Sequence, residues 1–95
     1  MINSINWFEI PVLDFERAKA FYATILEGEI MEMPHPVYTY GILPGDMQNG
    51  ITGGLVKGEG FVPSTDGALI YLNGGDDLSI PLAKVEAAGG KILLP

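Results

Sequence analysis

The stretch from Trp7 to Tyr22 restricts this chain more than any other, because it reads as strand, one-step turn and helix with no residue between them. Phe8, Ile10 and Val12 fall on one face of the strand at period two, and Trp7, Glu9 and Pro11 on the other. Asp14 stands where a helix N-cap is wanted, and Glu16 puts a negative charge in the first turn. Phe15, Ala18, Tyr22 and Ile25 then recur at helical spacing, with Phe21 and Leu26 widening the stripe. The helix is therefore expected on the Phe8/Ile10/Val12 face. Trp7 and Glu9 are left pointing away from it.

Further along, Gly28 is the expected left-handed residue closing that helix. Glu29 to Met33 and Val37 to Ile42 read as strands, separated by a turn at Pro34-His35-Pro36. Pro44-Gly45-Asp46 and Asn49-Gly50 are turn signals before a strand from Ile51 to Lys57. Gly53 and Gly54 weaken that strand in isolation, which points to a bulge or a close approach by a backbone or ligand. Residues 59–67 read as a connector, in which Phe61 and Val62 either dock on the body or guard a pocket. Ala68 to Asn73 is an apolar strand, Asp76-Asp77 offers a cap, and Leu78, Leu82 and Val85 mark a second helix face. Gly89-Gly90 ends that helix, and a further strand begins at Lys91.

Strand, acidic cap, helix, glycine and strand thus occur twice, an internal repeat of a βαβ-type unit. Asp14 to Gly28 is fourteen positions and Asp77 to Gly90 thirteen. The second copy stops five residues after Gly90, where the first continues through further strands.

Composition narrows the function. A chain of 95 residues makes one small domain with little stability in reserve. A net charge of −7 argues against nucleic acid, and the five scattered basic residues argue against an anionic membrane surface. With no cysteine there is no disulfide or thiolate chemistry. No signal peptide or apolar span is visible, so the cytoplasm is the expected compartment.

Ile10-Pro11-Val12-Leu13-Asp14 followed by Arg17-Ala18-Lys19-Ala20-Phe21-Tyr22 resembles the vicinal oxygen chelate superfamily of glyoxalases, extradiol dioxygenases and bleomycin-resistance proteins. Tyr71-Leu72-Asn73, Asp76-Asp77-Leu78 and Val85-Glu86-Ala87-Ala88-Gly89-Gly90-Lys91 match its second module. The resemblance covers most of the chain. It implies an α+β fold of paired βαβββ modules whose sheets form a cup around a ligand or metal. Module 1 would occupy about residues 4–58, the connector 59–67, and a second module, incomplete at the C-terminus, residues 68–95. Trp7 and Glu9 would then face the inside of the cup.

The resemblance also locates departures. Metal-dependent members carry their first ligand seven positions before the capping aspartate, which here is Trp7, and Trp7 cannot bind a metal. Their second ligand falls near Ala68, Leu69 and Ile70, and their last, a glutamate, would lie beyond Pro95. Holding a catalytic ion takes three or four converging donors, so no metal site and no cofactor are expected.

The residues leave alternatives open. Glu9 is either a half-exposed carboxylate or a cavity carboxylate that binds a cationic or hydroxylated ligand or acts as a base. Trp7, Tyr38, Tyr40 and Tyr71 are core aromatics or a pocket wall, and Trp7, flanked at period two by Glu9, is the one that reads as pocket. His35, the only histidine, reads as a turn residue and supplies no nucleophilic triad.

The expected function is a glyoxalase- or bleomycin-resistance-like protein that binds a small organic ligand through Trp7, Glu9, Tyr71 and Asn73. The alternatives are a lyase, isomerase or dioxygenase of the superfamily with Glu9 as acid, base or sole metal ligand, and a structural partner protein. A half-built second sheet would expose strand edges, so either the chain is truncated or a second copy covers them. A homodimer, with modules side by side or exchanged, is expected. Light scattering at micromolar concentration should return twice the chain mass, and a monomeric mass would contradict the dimer.

Overall fold

The computed structural model describes residues 3–93 and shows an α+β fold of one four-stranded mixed sheet and two helices. The elements run β1 (Phe8–Pro11), α1 (Phe15–Leu26), β2 (Met31–Met33), β3 (Thr39–Ile42), β4 (Gly53–Lys57) and α2 (Ser79–Val85). In space the strands lie in the order β1-β4-β3-β2. β1 and β4 are parallel, and the other two pairs are antiparallel. Residues 8–57 thus make one βαβββ unit with α1 as the crossover between β1 and the rest of the sheet.

The Trp7–Tyr22 reading holds in this half. Asp14 caps α1, accepting from the Arg17 amide at 3.1 Å. Phe15, Ala18, Tyr22, Ala23 and Leu26 of α1 pack against Val12, Ile30, Leu43 and Leu55, with Phe8 and Ile10 from β1. Phe15 and Leu55 are among the most deeply buried side chains of that cluster. Removing a core phenylalanine down to its β-carbon costs about 3–5 kcal/mol, a large part of what so small a domain holds.

The helix ends differently from its expected form. The left-handed residue is Glu27, with φ 52°, and not Gly28. Gly28 is used for space: a β-carbon there would come within 2.6 Å of the Pro44 ring. The amide of Gly28 still closes on the Ala23 carbonyl at 3.2 Å.

Strands β2, β3 and β4 form within the expected segments but are shorter, because Glu29, Ile30, Val37, Tyr38, Ile51 and Thr52 lie outside the ladder. No bulge interrupts β4, whose pairing runs unbroken on both sides. The glycine pair serves close approach instead, by side chains. A β-carbon on Gly53 would overlap Phe8 on the α1 side, and one on Gly54 would overlap the Tyr40 ring on the opposite side.

The second half departs from its expected form. Residues 68–73, expected as a strand, join no ladder, and neither do residues 91–93; Leu94 and Pro95 lie outside the described residues. A strand pattern needs a partner edge to become a strand, and within the described residues none is aligned with it. α2 does form, seven residues long, with Asp77 accepting from the Ser79 amide at 3.0 Å and the Ser79 hydroxyl at 2.6 Å. These bonds hold the exposed Asp77 carboxyl below the usual aspartate range, the hydroxyl contributing most. Leu78 itself occupies the N-cap position, so Asp77 braces the turn one residue earlier than a cap would.

α2 packs on α1 rather than on a strand. Gly90 lies against Phe21 and Val85, and the Arg17 guanidinium donates to the Gly89 carbonyl at 2.7 Å. Lys84 pairs with Glu27 at 2.6 Å, and Lys19 with Glu32 at 3.1 Å. Exposed pairs of this kind contribute about 0–1 kcal/mol each. Among the described residues no helix is long and apolar enough to cross a membrane.

Candidate functional site

Strand parity divides the sheet. Ile10, Gly41 and Leu55 pair in register on the α1 face, with Phe8 beside Gly53. The other face carries Glu9 and Pro11 from β1, Tyr40 and Ile42 from β3, Met31 and Met33 from β2, and Gly54 and Val56 from β4. No described helix packs on that second face. Trp7, Met31 and Met33 stay 38%, 54% and 43% exposed there.

On this open face three side chains join. The Trp7 indole N–H donates to the Tyr40 hydroxyl at 2.8 Å, and that hydroxyl donates to Glu9 Oε2 at 2.7 Å. Tyr40 stands on β3 and Glu9 on β1, with β4 between them. The phenol must therefore cross two strand spacings, roughly 10 Å. It does so by lying over Gly54, the register partner of Glu9 on β4, where any side chain would occupy its path. The same device recurs one step along: a β-carbon on Gly58 would overlap the Tyr38 ring. Tyr38 in turn stacks on His35 at 4.8 Å and meets the edge of Phe61 at 5.0 Å.

Electrostatics keep the phenol a donor. Burial raises the Tyr40 pKa above the ordinary tyrosine value, and the hydrogen bond to Glu9 and the charge of that carboxylate raise it further, against an opposing contribution from Trp7. Tyr40 is thus neutral near pH 7, with its proton committed to Glu9. Glu9 accepts through Oε2, and none of the described hydrogen bonds reaches its Oε1. The face therefore offers one carboxylate oxygen for an incoming donor, beside an indole and two methionines.

The expected ligand residues separate. Trp7 and Glu9 come together through Tyr40, whereas Tyr71 and Asn73 line a different groove of about 440 Å³, with Phe8, Leu26, Leu43 and Thr52. Tyr71 is 87% exposed, its chain carried past the sheet by a segment without a ladder. A second concavity, about 470 Å³, lies between β1, the start of α1 and the glycines after α2, and includes Arg17 and Tyr22. His35 braces its own turn: Nδ1 accepts from the amides of Val37 and Tyr38, both at 3.1 Å. Phe61 is half-buried on Tyr38 and Val62 is exposed, so of that pair Phe61 docks on the body. Among the described residues no three His, Cys, Asp or Glu side chains converge as metal ligands do.

Tyr40, which the sequence left open between a core aromatic and a pocket wall, is the residue that the structure places at the junction. Sequence spacing carries no signal for it, because Tyr40 pairs in register with Val56 and reaches Gly54 only by lying across β4.

Because the folded state raises the Tyr40 pKa, its contribution to stability is complete below the ordinary tyrosine range and is lost as pH climbs through the raised value. The window is alkaline. Following the Tyr40 ring carbon by NMR against pH should give a midpoint above that of free tyrosine. Glu9→Gln should bring it down part of the way, leaving the share due to burial. A midpoint at the free value, or one that ignores Glu9→Gln, would contradict the hydrogen-bonded geometry.

No family model, curated protein or solved structure matches this chain.

Proposed function

We propose that this protein is a glyoxalase- or bleomycin-resistance-like binding module for a small organic ligand, held on the open sheet face at Trp7, Tyr40 and Glu9. The observation that carries this reading is the Trp7–Tyr40–Glu9 hydrogen-bonded chain, assembled across β4 on a face that no described helix covers. Such a device orients a carboxylate. Stability alone does not require it, since the site lies outside the Phe15/Leu55 cluster.

The chemistry defines the ligand class. Glu9 calls for a cationic or hydroxyl donor, and the exposed Trp7 and Met33 surfaces for a flat apolar body attached to it. A net charge of −7 favours the approach of cations. Tyr71 and Asn73 fall outside this version of the site, because they line the other groove.

The family reading further proposes a second unit, built around α2, paired with the first. Its support is α2, which repeats the order of acidic turn, helix and glycine seen around α1. In the same proposal a second copy of the chain covers the outer edges of β1 and β2, the end strands of the sheet.

Trp7 is the only tryptophan, so its fluorescence reports this face alone. Titrating a series of aryl-ammonium ions and phenols should shift that emission saturably for at least one member. A hydrogen bond to a charged group is worth about 1.5–3 kcal/mol, so Glu9→Gln should weaken an aryl-ammonium ion about tenfold to a hundredfold. Binding unchanged by Glu9→Gln, or binding that perturbs residues 69–73 and leaves Trp7 silent, would overturn the assignment.

A further inference from the structure

The chain contains two Asn-Gly sequences, Asn49-Gly50 on an exposed turn and Asn73-Gly74 in an irregular segment, and both asparagines are exposed. Asparagine followed by glycine is chemically labile, because nothing on the glycine obstructs its nitrogen. That nitrogen gives up its proton to base and bonds to the asparagine Cγ. The Cγ–Nδ2 bond breaks and ammonia leaves, closing a five-membered succinimide. Water then opens either ring carbonyl, giving aspartate or isoaspartate, the latter with the main chain routed through the side chain. Exposure of the asparagine does not distinguish the two sites, and Gly74, half-buried, is less open than Gly50. Hydrogen bonding distinguishes them.

At Asn49 the reacting groups are tied down by Asp46. The Gly50 N–H donates to the Asp46 carbonyl at 2.8 Å, a bond that must break before the nitrogen loses its proton. The Asn49 amide donates to Asp46 Oδ1 at 3.1 Å, and Asn49 Nδ2 to Oδ2 at 3.2 Å. The Gln48 amide adds a further bond to Oδ1 at 2.9 Å. These bonds, that of the Asn49 amide foremost, hold the Asp46 carboxyl below the usual aspartate range, so it stays an acceptor down to acid pH.

At Asn73 the bonding favours reaction. The Gly74 nitrogen makes none of the described hydrogen bonds. Asn73 Oδ1 instead accepts from the Gly75 N–H at 2.9 Å. A donor on that oxygen draws charge from Cγ and stabilises the oxyanion that forms when the Gly74 nitrogen adds. We propose that Asn73 is a site of spontaneous deamidation in the folded protein, and that the Asp46 turn protects Asn49 from the same reaction. The product adds a negative charge to the groove that Asn73 lines beside Leu72, and isoaspartate lengthens the main chain just before α2. The Trp7–Tyr40–Glu9 face is not involved.

Trypsin cuts after Lys57, which lies between the two asparagines, so one digest reads both. Folded protein held at mildly alkaline pH should gain the amide-to-acid mass change in the Asn73 peptide about tenfold faster than in the Asn49 peptide. Part of that product should be isoaspartate, detected by isoaspartyl methyl transfer. In concentrated urea the two rates should converge, because the difference belongs to the fold. Asp46→Ala should raise the Asn49 rate in the folded protein towards that of Asn73. Equal folded rates, a faster Asn49, or a difference that survives in urea would each overturn the proposal. Should Asp46→Ala fail to fold, the urea comparison decides alone.

Discussion

Everything in this structure depends on α1 lying across one face of the sheet, anchored by Phe15 against Leu55. The contact follows from the Trp7–Tyr22 stretch. Only Val12, Leu13 and the capping Asp14 separate the strand from the helix, so the apolar faces of both must meet. α1 also holds the order β1-β4-β3-β2, since the crossover lets β1 pair in parallel with β4 while β2 and β3 return as antiparallel neighbours. Once one face is taken by α1, the other is left to Trp7, Glu9, Tyr40 and the methionines of β2.

The open face is where packing gives way to chemistry. A sheet that needed only solubility would carry scattered polar groups there. This one carries an indole, a phenol and a carboxylate joined in series, with the phenol laid over a glycine that cannot obstruct it. The alignment draws on three strands, so it exists only when the whole sheet is in register. A one-residue slip of β3 would turn Tyr40 to the α1 side and dissolve the chain of hydrogen bonds.

How much of this could be read beforehand follows the reach of each interaction. Local rules located β1, the Asp14 cap, α1 and the turns, and period two put Trp7 and Glu9 on the face away from α1. The Tyr40 junction was not legible in the same way, because it depends on which residues of β1, β3 and β4 lie opposite one another. The left-handed position at Glu27 was hidden for a related reason: Gly28 is claimed by Pro44, which is distant in sequence. Residues 68–73 have the composition of a strand, yet composition cannot supply the partner edge that would make them one. Tyr71 and Asn73 consequently lie at a groove that does not include Trp7 or Glu9.

The most direct test of this account is the proximity of the Trp7 indole N–H to the Tyr40 ring in solution, measured as nuclear Overhauser contacts. The account predicts cross-peaks between the indole N–H and the Tyr40 ring protons, together with contacts from Phe15 to the core side of the sheet. Core contacts without any Trp7–Tyr40 cross-peak would show a correctly packed domain whose open face is not organised around Glu9, and would contradict the central claim.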